Sequence, residues 1–378
     1  MARLPQLDRW IGTDRLASWH RSNGQYTIGM LVAHAVLITW GYAAADHFSI
    51  GREIGNLLRS YPDVLAGTVG LGLLIAVAVT SVRQARRRLR YETWYFVHLY
   101  TYLAIALSFS HQLATGNEFA THPLNRIFWV VLYVGTFGVL LAYRVAVPIQ
   151  DALRYQLRVA AVQTEGPGVV SVYVTGRHLE QMGAQAGQFF RWRFIDRRSW
   201  WEAHPFSLSA APNPRYLRIT AKGLGDHSQA LRDVRVGTRV MAEGPYGNLT
   251  VRRRVRPRVL LIAGGVGITP LRALVEALPA EPGDVTLLYR ATHEDDLLFR
   301  AELDDLSRTR GIQVRYLVGP RDKGPGPLSG PRLRHMVPDI RERDVYLCGP
   351  PGMMTAALRS LRSIGVRRSQ VHHERFEL

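Results

Sequence analysis

The chain has 378 residues, enough for two or three domains with their own cores. Lysine plus arginine number 48 against 30 aspartate plus glutamate, a formal net charge of +18, and Lys222 and Lys323 are the only lysines. The single cysteine, Cys348, excludes an intrachain disulfide framework and a Cys-ligated zinc or iron–sulfur centre.

Many of the arginines flank apolar runs, which points the charge at a membrane surface. No basic stripe with interleaved aromatics falls on a soluble element, so nucleic acid is not an expected partner. The N-terminus is polar through Gln25 and lacks the basic, apolar, small-residue order of a signal peptide. Four apolar spans follow at about 26–47, 64–82, 93–113 and 127–147, each near the ~20 residues that cross a hydrocarbon core. The third, rich in Tyr, Thr and Ser, also reads as a buried soluble helix. The run from Arg83 to Arg90 lies between spans two and three and holds five arginines. It marks that side as cytoplasmic, together with the N-terminal arm and everything after Arg144. The loops 48–63 and 114–126 then face outward.

Histidine inside a span is costly and marks function. His34 and His47 are 13 residues apart on span one, and His98 and His111 are 13 apart on span three. One span intervenes, so the two helices run parallel. The spacing predicts His34 level with His98 and His47 level with His111. Thirteen residues rise ~20 Å, which suits two haems stacked across a core of ~30 Å. A neutral imidazole binds haem iron, and two close both axial positions. Taken singly, each histidine also reads as a polar group bonded to a neighbouring helix, and His47 as an interfacial residue. His20 and His122 read as solvated loop residues.

After Gln150 the character changes. Alternating strands begin at Tyr155 and Val169, and short strands with Gly and Pro turns continue to about residue 250, predicting a small β-barrel. Within it, His204-Pro205-Phe206-Ser207 supplies an aromatic for a flavin ring and a hydroxyl for its reactive nitrogen. The stretch with Lys222, Gly225 and Ser228 offers a cation and backbone amides for a pyrophosphate. From Val259 a strand runs into Gly264-Gly265-Val266-Gly267 and a helix opening at Thr269 and Pro270. Strands follow at 285–289, 314–318 and 344–348, the alternation of a parallel α/β sheet. Cys348-Gly349-Pro350-Pro351-Gly352 repeats the strand–turn–helix pattern. Two such loops at one sheet edge bind a dinucleotide, and Cys348 at the strand end is placed for a nicotinamide contact. The stretch Gly319–Gly330 reads as a surface loop.

His-Pro-Phe-Ser at 204–207, Gly-Pro-Tyr-Gly at 244–247, Gly-Gly-Val-Gly-Ile-Thr-Pro at 264–270 and Cys-Gly-Pro-Pro at 348–351, in this order, resemble the ferredoxin–NADP reductase superfamily. Joined to a membrane half with paired histidines, the chain resembles the ferric reductase and NADPH oxidase flavocytochromes b from about Asp14 to Leu378. The resemblance implies FAD held by 204–207 and the Lys222–Ser228 loop, and a nicotinamide cofactor at Gly264–Pro270 and Cys348–Gly352. It implies that Glu374-Arg-Phe376 is the family's ending, where an aromatic can cover the flavin until nicotinamide displaces it. It also implies that Arg290 meets the extra phosphate of NADPH, with NADH possible. That family usually has six spans against the four read here; two others would precede residue 1.

The expected architecture is therefore a transmembrane haem bundle (1–150), a β-barrel FAD domain (151–255) and an α/β NAD(P)-binding domain (256–378). The expected activity moves electrons from NAD(P)H through FAD and two b-type haems to an external small-molecule acceptor, a ferric chelate or oxygen. The setting is the lipid of the plasma membrane, with the N-terminus and the reductase half cytoplasmic. Two other readings are a membrane-anchored FAD reductase without functional haems and a haem subunit with a vestigial reductase half.

Overall fold

The computed structural model describes residues 10, 11, 13–82, 91–116, 121–196, 201–223, 231–279, 281–320 and 326–374. They fall into two compact units, one covering Arg15–Ala142 and one covering Tyr143–Leu378.

The first unit is helical: α1 (Thr13–Ala45), α2 (Ile50–Ser60), α3 (Val64–Ser81), α4 (Tyr91–Thr115) and α5 (Pro123–Leu141). A π-turn at Ala142–Ala146 leads into α6 (Val147–Tyr155). Among the described residues three stretches are long and apolar enough to cross a membrane: Arg15–Ala45, Val64–Ser81 and Pro123–Tyr155. Their apolar side chains face outward; Val36 is 61% exposed, and Val131 and Val134 64%. Water would penalise such a surface, whereas hydrocarbon solvates it and leaves every backbone bond inside the helix. The third expected span, 93–113, forms a helix, α4, of 25 residues. Its Tyr, Thr, Ser and His side chains make it too polar to count with the other three.

Glycine lets α4 approach α3 closely. A Cβ at Gly70 would lie 2.7 Å from Ser108 Oγ and 2.8 Å from the Ala104 carbonyl oxygen. One at Gly67 would lie 2.9 Å from the His111 ring. Small residues at facing positions bring two backbones together and allow tight packing where no hydrophobic drive exists between helices. Helix α1 starts thirteen residues before the expected span at 26. The polar stretch from Thr13 holds no proline, so the backbone ladder continues through it. Its 33 residues rise ~50 Å. His20, expected in a loop, is therefore on the helix.

The second unit begins with strands β1 (Arg158–Gly166), β2 (Val169–Thr175), β3 (Phe189–Ile195), β4 (His204–Ser207), β5 (Leu217–Lys222) and β6 (Arg239–Tyr246). They form one six-stranded sheet in the order β4-β3-β6-β1-β2-β5, and the paired strands run antiparallel. Where a barrel was expected, the two ends of the sheet meet through the single bridge Leu208–Ile219 and not along a ladder. Val170, Val172, Val174, Phe190, Trp192 and Ile219 form its core.

Next come β7 (Val259–Gly264), α7 (Ile268–Ala277), β8 (Val285–Ala291), α8 (Arg300–Arg310), β9 (Gln313–Val318), α9 (Gly330–Met336), β10 (Asp344–Cys348), α10 (Pro351–Ser363) and β11 (Val371–His373). The five strands make the expected parallel sheet, in the order β11-β10-β7-β8-β9. Leu271 and Leu274 of α7 and Leu303 of α8 cover one face. Leu333 of α9 and Met354, Ala357 and Leu361 of α10 cover the other. Burial on both faces explains why β7 is continuously apolar rather than alternating.

The two sheets are joined by a buried ion network. Arg218 on β5, 3% exposed, donates to both carboxylate oxygens of Glu302 on α8 at 2.7 and 3.0 Å. Its other donors reach Ser209 Oγ and the Ser209 carbonyl at 3.1 and 2.8 Å. Glu302 also accepts from Arg272 of α7 at 2.7 Å. Arg272 pairs in turn with Glu276, which takes the Ala211 amide at 2.8 Å. Burial works against the Glu302 charge, but Arg218 and Arg272 hold its carboxyl below the ordinary 4.5. Its folded value being the lower one, its contribution to stability is complete above about pH 4.5 and is lost as the pH falls below that. Arg218→Ala leaves Glu302 without its main partner. It is expected to destabilise the reductase half by on the order of 3 kcal/mol, read as a lowered melting temperature at pH 7. The wild-type advantage over this variant should shrink below pH 4.5, and an unchanged melting temperature would show that the network carries no stability.

Candidate functional site

In the helical unit the structure pairs the histidines differently from the expected levels. His20 of α1 lies edge-on to His98 of α4, ring centroids 5.9 Å apart at an interplanar angle of 78°. His98 also stacks on Trp94 at 5.0 Å. One turn-set further along, His34 is within electrostatic reach of His111. The His111 ring sits over Gly67, and its Nδ1 is 3.0 Å from Thr115 Oγ1. His47 is not on the helix: it lies in the turn after Ala45 with φ of 53°. Extending α1 to Thr13 shifts the matching levels by one histidine, from His34 and His47 to His20 and His34. Two imidazoles that ligate one metal from opposite sides, each at ~2 Å, stand ~6 Å apart centre to centre. The His20–His98 separation fits that requirement. Among the described residues there is no cluster of three or more metal-ligating side chains.

In the antiparallel sheet, β4 is clamped along β3, with Phe206 opposite Phe190 and His204 opposite Trp192. Trp192 Nε1 donates to the Phe206 carbonyl at 2.9 Å. Phe206 is half-buried and 6.4 Å from the His204 ring; Pro205 is exposed. Ser207 is 5% exposed, and its Oγ has no hydrogen-bond partner. An unsatisfied buried hydroxyl costs ~1–3 kcal/mol, a cost that a ligand acceptor or donor beside β4 removes. The strand therefore fits a flavin. Lys222 ends β5 and pairs with Asp296 at 3.4 Å. Gly225 and Ser228 lie outside the described residues, as does Phe376.

The two glycine loops meet at the C-terminal edge of the parallel sheet. A Cβ at Gly267 would stand 2.5 Å from the Cys348 carbonyl oxygen and 2.7 Å from Gly349 Cα. One at Gly264 would meet Met353 Sδ at 2.4 Å, and one at Gly349 would meet Met353 Cε at 2.5 Å. These three glycines interlock the loops. Gly267, expected to admit a phosphate, is instead buried against the Cys348 backbone. Thr269 and Pro270 are also buried, and Thr269 Oγ1 donates to the Val266 carbonyl at 3.0 Å. Gly265 is the open position: its φ is 53°, and a Cβ there meets nothing within 4 Å. It lines a cavity of about 570 Å³ with Gly264, Lys222, Arg290, Pro350 and Gly352. That volume suits a small-molecule ligand, and the N-termini of α7 and α10 both open beside it, as an anion requires.

Arg290 reaches the cavity edge with its guanidinium tied to backbone carbonyls, Leu317 at 2.8 Å and Pro320 at 2.9 Å, and also Ala291 and Gly319. It braces the ends of β8 and β9 as well as adding charge. Sequence reasoning missed Asp296, Met353 and the segment Gly326–Ser329 as lining residues. The last belongs to the stretch read as a surface loop, and no periodicity in it signals contact.

Cys348 is completely buried. Burial first, then the charge of Glu374, pushes its thiol well above the ordinary range, so it stays protonated. Glu374 brings the C-terminal segment against the Gly-Pro-Tyr-Gly turn: a Cβ at Gly247 would lie 2.9 Å from its carboxylate and 3.2 Å from Phe189. Of the segment expected to govern the flavin, Glu374 is the residue described.

Three known families match in succession. Residues 2–109 match the ferric reductase like transmembrane component, 154–250 an FAD-binding domain, and 261–359 the oxidoreductase NAD-binding domain. The chain is 32% identical over 158 residues to NADH-cytochrome b5 reductase 1 of Candida glabrata, covering 39% of this chain and 55% of the relative. It is 34% identical over 188 residues to the flavohemoprotein of Vibrio cholerae serotype O1, covering 46% of each. The chain thus spans about half the length of these curated relatives. The FAD/NAD-binding domain of nitric oxide dioxygenase from Vibrio cholerae aligns at 27% identity and a TM-score of 0.48, over 58% of this chain and 97% of that one.

The glycine geometry separates two substitutions. Gly265→Ala strains a left-handed backbone by ~1 kcal/mol and puts a methyl in the cavity. NADPH affinity should fall about tenfold with a small loss of melting temperature. Gly267→Val drives side-chain atoms into the Cys348 backbone and should lower the melting temperature far more. Equal melting losses for the two variants would contradict this assignment.

Proposed function

We propose that this chain, a ferric reductase-like membrane component joined to an FAD-binding and an oxidoreductase NAD-binding domain, moves electrons from NADPH (or NADH) across a membrane to a small-molecule acceptor outside. When bound, FAD turns a two-electron hydride donor into single-electron steps, and two b-type haems relay those electrons through hydrocarbon.

The carrying observation is the His20–His98 pair at 5.9 Å, with His34 and His111 as the second level. His20 and His98 would hold one haem and His34 and His111 the other. Two histidines for each haem would suit electron transfer rather than gas binding at iron. The small residues Gly67 and Gly70 keep α3 close enough to hold the His111 ring in place. On the reductase side Phe206 would face the flavin, and Ser207 Oγ would give it a hydrogen bond. Lys222 and Gly265 would receive the phosphates of the nicotinamide cofactor, and Arg290 the 2′-phosphate that distinguishes NADPH. Cys348, completely buried and kept protonated, would be a neutral packing group behind the nicotinamide site rather than a nucleophile. The acceptor is a ferric chelate or oxygen, and the reductase half and N-terminus lie on the cytoplasmic side of the plasma membrane.

Reduced-minus-oxidised spectra of the purified chain, supplied with haem, test this reading. Two b-type centres are expected. His20→Ala and His98→Ala should each remove the same centre, His34→Ala and His111→Ala the other, and His47→Ala neither. A flavin spectrum alone ends the haem assignment. Loss of a centre in His47→Ala with retention in His20→Ala restores the pairing read from sequence spacing.

A further inference from the structure

We propose that a second groove on the reductase unit, separate from the dinucleotide cavity, binds an oligophosphate: a ligand carrying several clustered phosphate charges. The groove has a volume of about 750 Å³ and shares no lining residue with the cavity at Gly265. One wall is the segment after β6, with Arg253 and Arg256; the other is the C-terminal turn and β11, with Arg367, Arg368, His372 and His373. Among the described residues no acidic residue lines it.

Some arginines elsewhere on this unit find carboxylates, as Arg258 and Arg343 do with Asp339 at 3.0 and 2.8 Å and Arg300 does with Glu294 at 2.5 Å. Arg256, Arg367 and Arg368 have no acidic partner among the described residues. One buried carboxylate, Asp344, lies beneath the groove, 3.8 Å from His372; the exposed arginines exceed it in charge and raise the local concentration of anions in a concave site.

Both walls are fixed by buried side chains. Asp344, 0% exposed, accepts the backbone N–H groups of Val255 and Arg256, the latter at 3.0 Å. That holds the first wall in place from beneath. Gln370, 3% exposed, donates to the carbonyls of Arg341 and Arg343 at 2.9 and 3.0 Å and accepts the Arg367 N–H at 3.3 Å. That holds the second. His372 packs on Tyr346 at 4.7 Å, closing the floor. Holding the backbones of both walls in place lowers the freedom lost when a ligand bridges them. Guanidinium forks match phosphate oxygens two at a time. Several of them across a groove of small-molecule size suit a ligand with several phosphates better than a single small anion.

Free oligophosphate and a polyphosphorylated lipid headgroup share this chemistry. The test is calorimetric titration of inorganic tripolyphosphate into the full chain in phosphatidylcholine nanodiscs, at constant ionic strength and with saturating NADH. One saturable site is expected. The double variant Arg367→Gln/Arg368→Gln should weaken it at least ~tenfold, and Arg367→Lys/Arg368→Lys should recover part of the loss. These residues are exposed, so the fold should survive both changes. A second arm repeats the titration in nanodiscs containing a polyphosphoinositide. Weaker apparent tripolyphosphate binding there identifies the headgroup as an occupant; unchanged binding identifies the free anion. Both results support the site. Binding that does not saturate, an equal affinity in the glutamine variant, or displacement of tripolyphosphate by NADH overturns it.

Discussion

The reductase half depends on neutralising one buried guanidinium. Arg218 sits near the start of β5, and its charge is tolerable there because Glu302 takes it at both oxygens. The consequence is geometric. Glu302 belongs to α8, which packs under the parallel sheet, so the pair pins the last strand of the flavin sheet to the nicotinamide sheet. Four residues along the same strand, and therefore on the same face, Lys222 meets Asp296 in the turn before α8. The clamp thus delivers the end of the flavin strand to the rim of the cavity where the glycine loops open. Hydride transfer demands that two cofactors bound on different sheets meet face to face, and rigid registration of the sheets is how such a demand is met.

The glycine loops show a division of labour that a motif alone does not reveal. Gly264, Gly267 and Gly349 are required by each other's backbones and by Met353, while Gly265 alone is open to a ligand. The helical unit repeats the theme. Gly67 and Gly70 exist for the approach of α4 and leave room for a histidine ring. In both places the smallest residue serves contact between backbones first, and the functional group is set by what that contact leaves open.

How much of this was legible in the sequence follows from the range of the forces involved. The parallel sheet and its two strand–turn–helix loops were legible because local periodicity and glycine placement encode them. The His204–Ser207 strand was legible because a short motif carries its chemistry. The histidine levels were misread because the start of α1 lies in a polar stretch. Hydropathy marks where a helix enters hydrocarbon and not where its backbone ladder begins, so His20 was set in a loop and His47 put in its place. Arg218 and Glu302 are 84 positions apart, and the lining from Gly326 to Ser329 and the basic groove likewise bring together distant parts of the chain. No local pattern records such distances. Gly225, Ser228 and Phe376 fall outside the described residues.

The central claim is an ordered passage of electrons from the nicotinamide cavity through the flavin strand to the paired histidines. Anaerobic rapid mixing of the haem-loaded full chain with NADPH, followed at the flavin and haem bands together, tests it most directly. The account predicts that the flavin band bleaches first and that haem reduction follows, with the haem phase absent in His98→Ala while the flavin phase is retained. Haem bands that stay oxidised while the flavin is fully reduced in the wild-type chain would contradict it.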